Sequence, residues 1–364
     1  MSATAFKTRR VGQTNLEVTE LGLGSATLAS IFQAVPDDQA RATVSAGLDA
    51  GINYFDTAPQ YGYGRAEHLV GDGLRFRPEK KIISTKVGRI LKPVQSEAER
   101  EYGHAWVNPF PFEQVYDYSY AGVMKSFEHS LARLGLSKVD ILFVHDIGLA
   151  THSAEQNAIY WKQLAEGGYK ALTELKASGQ ISAIGLGVNE WEVLMDAFEL
   201  GDWDAFLLAG RYTLLEQTSL EPFLSTCLER HASVVVGGPF NGGALMGSGM
   251  WNYAKAPEQV IRRVAPQRHL RRIRRAARRC GAAVSAGAQG SLQRPARPQI
   301  ARRTRWHPRL VEHQDPGRTV GCAGGPQVGG AGRAAAERPG GVAPKSRRRL
   351  RDSGGGCRNT LWRR

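Results

Sequence analysis

The chain has 364 residues, 42% of them hydrophobic, and a formal net charge of +14, which is enough material of ordinary globular composition for one large domain or two smaller ones. No apolar run approaches the length of a membrane span, and the N-terminal MSATAFKTRR lacks an apolar core followed by a cleavage site, so a cytoplasmic protein is the expectation. Cys227, Cys280, Cys322 and Cys357 are scattered without C-x-x-C spacing, a pattern that points to neither a zinc site nor a disulfide framework.

In chain order, FKTRRVGQTNLEVTEL reads as a hairpin with Gly12 to Asn15 as its turn. Seven strand candidates follow: LGLGS, INYFDTA, KIISTKV, DILFVHD, ISAIGLGV, AFLLAG and SVVVGGP. Between them lie segments of helical period, including DDQARATVSAGLDA, YAGVMKSFEHSLARLG and YWKQLAEGGYKALTELKASG, each ending near a glycine. Short apolar strands alternating with helices predict an α/β fold built on a parallel sheet buried on both faces. A (β/α)8 TIM barrel needs roughly 250 residues and eight strands. Residues 1–264 supply seven, so the barrel is expected to be incomplete, its eighth unit failing to appear after APEQVIRRV.

The charge is concentrated at the other end. Residues 1–264 hold 24 Lys+Arg against 30 Asp+Glu, while residues 265–364 hold 24 against 4 and have no Phe or Tyr. This Arg/Gly/Ala/Pro-rich tail has no sustained period and too little apolar surface to offset the entropy of ordering it, so disorder is expected. Two readings are open: a basic arm that attracts nucleic acid, or a GC-rich gene translated out of frame. The abrupt switch in the middle of a helical pattern, and the scarcity of aromatics among the arginines for bases to stack on, with Trp306 and Trp362 alone, favour the second.

Three polar side chains fall at the C-terminal ends of consecutive strand candidates: Asp56, Lys86 and His145, with Tyr61 on the loop after Asp56. Singly, each has a bland explanation: a turn aspartate, a solvated lysine, a core histidine, a packing tyrosine. In a parallel barrel these ends share the face where active sites are built, so the four are expected to converge. An ammonium at Lys86, held by Asp56, is expected to lower the phenol pKa of Tyr61 from about 10 so that it moves protons, with His145 orienting a carbonyl or hydroxyl oxygen. Proton transfer at such an oxygen is half of a redox step; the other half is a hydride that no side chain accepts, which implies a nicotinamide cofactor. LGLGSATL offers only two glycines of a G-x-G-x-x-G pattern, which argues against a Rossmann site.

With these residues in place, GINYFDTAPQYGYGRAEHLVGDGLR, ISTKVG, DILFVHD and ISAIGLGVNEW resemble the signature segments of the aldo-keto reductase superfamily, in order, over roughly residues 5–264. The resemblance implies that Asp56, Tyr61, Lys86 and His145 form the catalytic tetrad and that NAD or NADP lies across the barrel mouth. The insertion GRILKPVQSEAEREYGHAWVNPFPFEQVYDYS is similar to that of the branch with D-threo-aldose 1-dehydrogenases, L-fucose dehydrogenases and pyridoxal 4-dehydrogenases, implying a small-molecule sugar or aldehyde substrate. Trp106 and Phe110 on it either cap a sugar ring or pack the loop. The resemblance also places Asn189 at the nicotinamide carboxamide, and Pro239, Phe240, Asn241 and Gly243 at the pyrophosphate. The family's eighth strand and the basic motif after it have no counterpart in residues 265–364, which leaves a catalytically impaired relative as the alternative.

Overall fold

A computed structural model describes residues 6–94 and 106–264. The tail from residue 265 onward lies outside the described residues, as does the middle of the insertion, so the readings made for them stand as sequence expectations.

The first two strands, β1 (Thr8–Arg10) and β2 (Glu17–Thr19), form the expected antiparallel hairpin. Then come β3 (Leu23–Gly24), α1 (Asp37–Asp49), β4 (Tyr54–Asp56), α2 (Arg65–Leu74) and β5 (Ile82–Val87). A second antiparallel hairpin, β6 (Arg89–Pro93) and β7 (Phe112–Tyr116), interrupts the alternation before α3 (Tyr120–Leu134) and β8 (Ile141–His145). It is built from the two ends of the insertion, which the sequence reads only as a long loop. The chain continues through α4 (Ala154–Gln163), α5 (Tyr169–Ala177), β9 (Ala183–Val188), α6 (Glu192–Leu200), β10 (Ala205–Ala209), α7 (Ser225–Glu229) and β11 (Ser233–Gly237). Two short strands, β12 (Met250–Trp251) and β13 (Ala254–Lys255), precede α8 (Glu258–Val264).

Seven strands form one parallel sheet in the order β11-β10-β9-β8-β5-β4-β3, a nearly closed barrel with alternating helices. Among the described residues no strand bridges β3 and β11, and β11 is half-buried along its whole length.

Strand periodicity explains how this frame makes a site. Phe55, Ile83, Leu142, Val144, Ile184, Leu186, Phe206 and Leu208 face the helices and join the larger core. Their alternates Tyr54, Ile82, Ile141, Phe143, Ala183, Ala205 and Leu207 turn inward and fill the barrel's N-terminal end. The first hairpin caps this plug with Val11, Leu16 and Val18. Continuing the inward parity toward the strands' C-terminal ends gives Asp56, Ser84, Lys86 and His145, so the register that buries the apolar plug also places these polar groups above it.

Local capping chemistry sets the helix limits. Ser119 accepts a hydrogen bond from the Gly122 N–H to start α3, and Gly135, at φ +62°, ends it. The segment expected as one helix from Tyr160 begins earlier, at Ala154 behind the Ser153 cap, and passes through a π-turn at Leu164–Gly168. Gly168 permits that turn, since a Cβ there would lie 2.2 Å from the Tyr118 carbonyl oxygen.

Gly185 is the tightest point of the barrel interior: an added Cβ would lie 1.7 Å from the Ala205 carbonyl oxygen and 2.9 Å from the Phe143 ring. Gly185→Ala is expected to lower stability by about 1–3 kcal/mol through overpacking, read as a reduced midpoint in urea denaturation.

Candidate active site

At the C-terminal rim, Lys86 is 1% exposed. Its ammonium donates to Asp56 Oδ2 at 2.7 Å and to the Thr57 carbonyl at 2.9 Å. The other Asp56 oxygen accepts from the Ser84 hydroxyl at 2.7 Å, and Ser84 in turn meets the Tyr54 hydroxyl at 3.0 Å. Both charges are therefore paired, and each carboxylate oxygen of Asp56 has a donor, as a buried ion pair requires. Opposite them, Gly187 leaves room for the lysine stem, since a Cβ there would stand 3.3 Å from Lys86 Cε.

Tyr61 sits in the turn between β4 and α2, its N–H bonded to the Ala58 carbonyl. Lys86 Nζ lies 4.7 Å from the centre of its ring, and the His145 ring meets it edge-on at 5.9 Å. The structure thus brings Asp56, Tyr61, Lys86 and His145 together. It also corrects the expected sign of one effect. Burial, followed by the negative charges of Asp56 and Asp146, pushes the Tyr61 phenol well above its ordinary value, and Arg89 only partly opposes this. The physical reason is that the Lys86 charge is matched by Asp56 and lies over the ring face, so the phenolate gains little from it.

His145 is buried, and its pKa is lowered well below the usual histidine range by burial and by the positive charges of Arg89 and Lys86. A neutral imidazole follows, with Nε2 3.4 Å from Asp146 Oδ2 and Nδ1 left without a partner. The Tyr118 hydroxyl donates to the His145 carbonyl at 2.8 Å and meets His152 Nε2 at 3.1 Å, which fixes the strand end.

Sequence reasoning misses a second ion pair, between Arg89 and Asp146. Arg89 is 2% exposed, donates to Gln114 Oε1 at 2.9 Å and stands 5.0 Å from the centre of the Tyr116 ring. Asp146 was in view as the last letter of DILFVHD, but nothing local pairs it with a residue 57 positions away.

The described part of the insertion from Trp106 onward packs against the rim. Trp106 bridges Ile31, the Val107 N–H donates to the Ser30 carbonyl at 2.9 Å, and the Phe110 N–H donates to the Gly62 carbonyl at 3.0 Å. The Trp106 ring lies 5.9 Å from that of Tyr61, while Phe110 packs edge-on against His68 of α2 at 5.3 Å. Trp106 thus stands beside Tyr61, and Phe110 packs against α2.

Asn189 lies beside the same cluster, donating to Asp146 Oδ1 at 3.2 Å and accepting from the Tyr253 hydroxyl at 3.4 Å. Pro239 and Phe240 are exposed on the loop after β11. Asn241 is buried there: its amide donates to the Gly210 carbonyl at 2.9 Å and accepts from the Thr213 hydroxyl, and its N–H is bonded to the Gly238 carbonyl. The Gly243 N–H is bonded to the Phe240 carbonyl at 3.0 Å. These two residues shape the loop from within. Gly24, Gly210 and Gly238 follow or end β3, β10 and β11, and a Cβ at any of them would meet nothing closer than 3.6 Å, so the backbone stands clear along this part of the rim. Among the described residues no group of three His, Cys, Asp or Glu is placed to hold a metal, and no helix is long and apolar enough to cross a membrane.

The profile of the Aldo/keto reductase family matches residues 20–285. The chain is 46% identical over 277 residues to pyridoxal 4-dehydrogenase of Microbacterium luteolum, covering 72% of this chain and 80% of that protein. It is 34% identical over 260 residues to D-threo-aldose 1-dehydrogenase of a Pseudomonas species, covering 67% and 74%. Among solved structures, an aldo-keto reductase from Bacillus halodurans in its holo form superposes with a TM-score of 0.53 at 26% identity, covering 72% of this chain and 78% of that one.

The environment of His145 is open to direct measurement. Its imidazole is expected to stay neutral at a pH where an unperturbed histidine is mostly protonated, so its ring resonances in NMR spectra should not shift between neutral and mildly acidic pH; a midpoint near the ordinary value would contradict the assignment.

Proposed function

Since the chain belongs to the Aldo/keto reductase family, we propose that it is an NAD(P)-dependent oxidoreductase that oxidises the hemiacetal carbon of an aldose to a lactone, or a related aldehyde or its hemiacetal. The observation that carries this reading is the convergence of a buried phenol, a carboxylate-paired ammonium and a neutral imidazole on one rim: Tyr61, Lys86 with Asp56, and His145. The aldose and pyridoxal chemistries come from the names of the two relatives described above.

In the oxidising direction Tyr61 Oη, as phenolate, takes the proton from the substrate hydroxyl. His145 donates to the same oxygen and orients it, remaining neutral throughout. Lys86 fixes the phenol from its ring face and is itself held by Asp56. A bound nicotinamide supplies the hydride acceptor when the substrate is oxidised and the hydride when it is reduced. The open backbone at Gly24, Gly210 and Gly238 fits an extended ligand laid on the rim. Asn189 is assigned to its carboxamide end and the exposed Pro239 and Phe240 to its pyrophosphate end, with Asn241 and Gly243 holding that loop in shape. Trp106, beside Tyr61, is assigned to the face of the sugar ring.

A second reading, a family member without turnover, draws support from the half-buried edge strand β11 and the missing partner between it and β3 among the described residues. Soluble expression with a single cooperative unfolding transition would count against it.

Two outcomes test the redox reading. Tyr61→Phe is expected to reduce nicotinamide reduction, followed by absorbance with a panel of aldoses, by about 10²–10⁴-fold while leaving cofactor affinity nearly unchanged; substantial residual turnover refutes the role of Tyr61. Because the phenol is held above its ordinary pKa, its proton is on at neutral pH. Oxidation, which needs the phenolate, should therefore rise with pH through the alkaline range, while reduction, which needs the phenol, should be flat near neutrality. Parallel pH profiles in the two directions would contradict this.

A further inference from the structure

We propose that Asp146 determines substrate specificity: its carboxylate accepts a hydrogen bond from a hydroxyl on the carbon adjacent to the reacting one, so that the site selects vicinally hydroxylated substrates over their deoxy counterparts. The proposal rests on the redox reading above and names the substrate class of the same site.

Asp146 immediately follows His145 and has φ +46°, a left-handed conformation that aspartate tolerates better than most residues and that is often retained where function requires it. Its N–H is bonded to the Gly187 carbonyl at 2.9 Å, so the backbone there is fixed as an extension of β8. This geometry turns the carboxylate back toward the rim, where Oδ2 stands 3.4 Å from His145 Nε2. An imidazole donor and a carboxylate acceptor at that separation suit a substrate with oxygens on neighbouring carbons: His145 donates to the reacting oxygen, and Asp146 accepts from the hydroxyl beside it.

The carboxylate has capacity left for such a donor. Arg89 bonds Oδ2 and Asn189 bonds Oδ1, while an ionised carboxyl offers about four lone-pair sites. The two members of the ion pair also differ in access. The Arg89 side chain is 2% exposed and that of Asp146 14%, so of the two Asp146 is the side chain more open to a ligand. A pair that served only to anchor the β6–β7 hairpin to β8 would need no such opening. Arg89, Lys86, Asn189 and His145 face this carboxylate, and the Tyr61 and Tyr253 phenols and the Glu190 carboxylate also lie within its field; a hydrogen bond from a substrate hydroxyl to a partly desolvated anion is of the strong, charge-assisted kind. A substrate lacking that hydroxyl leaves the anion short of a donor, the situation in which sites discriminate most sharply.

The test uses the full chain with three pairs of sugars, D-glucose, D-galactose and D-ribose, each against its 2-deoxy counterpart. Binding is read from tryptophan fluorescence, with Trp106 beside Tyr61 as reporter, and turnover from nicotinamide reduction in parallel. The wild type is expected to prefer at least one aldose over its 2-deoxy form by ~100-fold in kcat/KM and by a clear margin in affinity, and Asp146→Asn, which keeps the shape and loses the charge, to cut that preference tenfold or more. Equal binding of every aldose and its 2-deoxy form by the wild type overturns the proposal without any variant, as does an undiminished preference in Asp146→Asn. Binding selectivity without nicotinamide reduction would instead refute the redox reading and leave Asp146 as the selecting group of a sugar-binding site.

Discussion

The arrangement at the barrel mouth depends on the burial of Lys86 against Asp56. An ammonium that is 1% exposed is tolerable because a carboxylate at 2.7 Å and a backbone carbonyl at 2.9 Å accept hydrogen bonds from it. The carboxylate, in turn, is tolerable because Ser84 satisfies its second oxygen. Neither partner can be placed without the other, so the pair fixes the relative position of the C-terminal ends of β4 and β5, and with them the turn that carries Tyr61.

From that constraint the electrostatics of the site follow. A lysine that stood alone would draw the phenol of Tyr61 toward the phenolate. Matched by Asp56 and set over the ring face, it leaves burial and the nearby carboxylates to dominate, and the phenol keeps its proton. His145 responds to the same surroundings in the opposite chemical sense: burial and two neighbouring cations remove its proton. The site therefore has, in its resting state, a protonated phenol facing a neutral imidazole, the complement of charges needed to give a proton to a carbonyl oxygen.

A second ion pair, Arg89 with Asp146, joins the inserted β6–β7 hairpin to the end of β8. The insertion is consequently part of the site wall, with Trp106 against Tyr61 and Phe110 against His68. Around the rest of the rim, glycines leave the backbone open and the loop after β11 is held from inside by Asn241, which ties it to Gly210 and Thr213.

Seven parallel strands with alternating helices were legible in the sequence, because strand and helix periods and glycine stops are local signals, and among the described residues no eighth strand joins their sheet. The sequence also determined that Asp56, Lys86 and His145 share one rim, since all lie at the C-terminal ends of parallel strands and on the inward parity of the pleat. The family match, over residues 20–285, covers most of this region and runs some way past residue 264. Pairing and sign came from the folded arrangement: Arg89 meets Asp146 across 57 positions, the two ends of the insertion pair as a hairpin, Asn241 is spent tying its loop to Gly210 and Thr213, and the Tyr61 pKa moves up. Each of these depends on which charges are matched and which are desolvated, quantities set by distances between elements remote in the chain and therefore not encoded in any one segment of it.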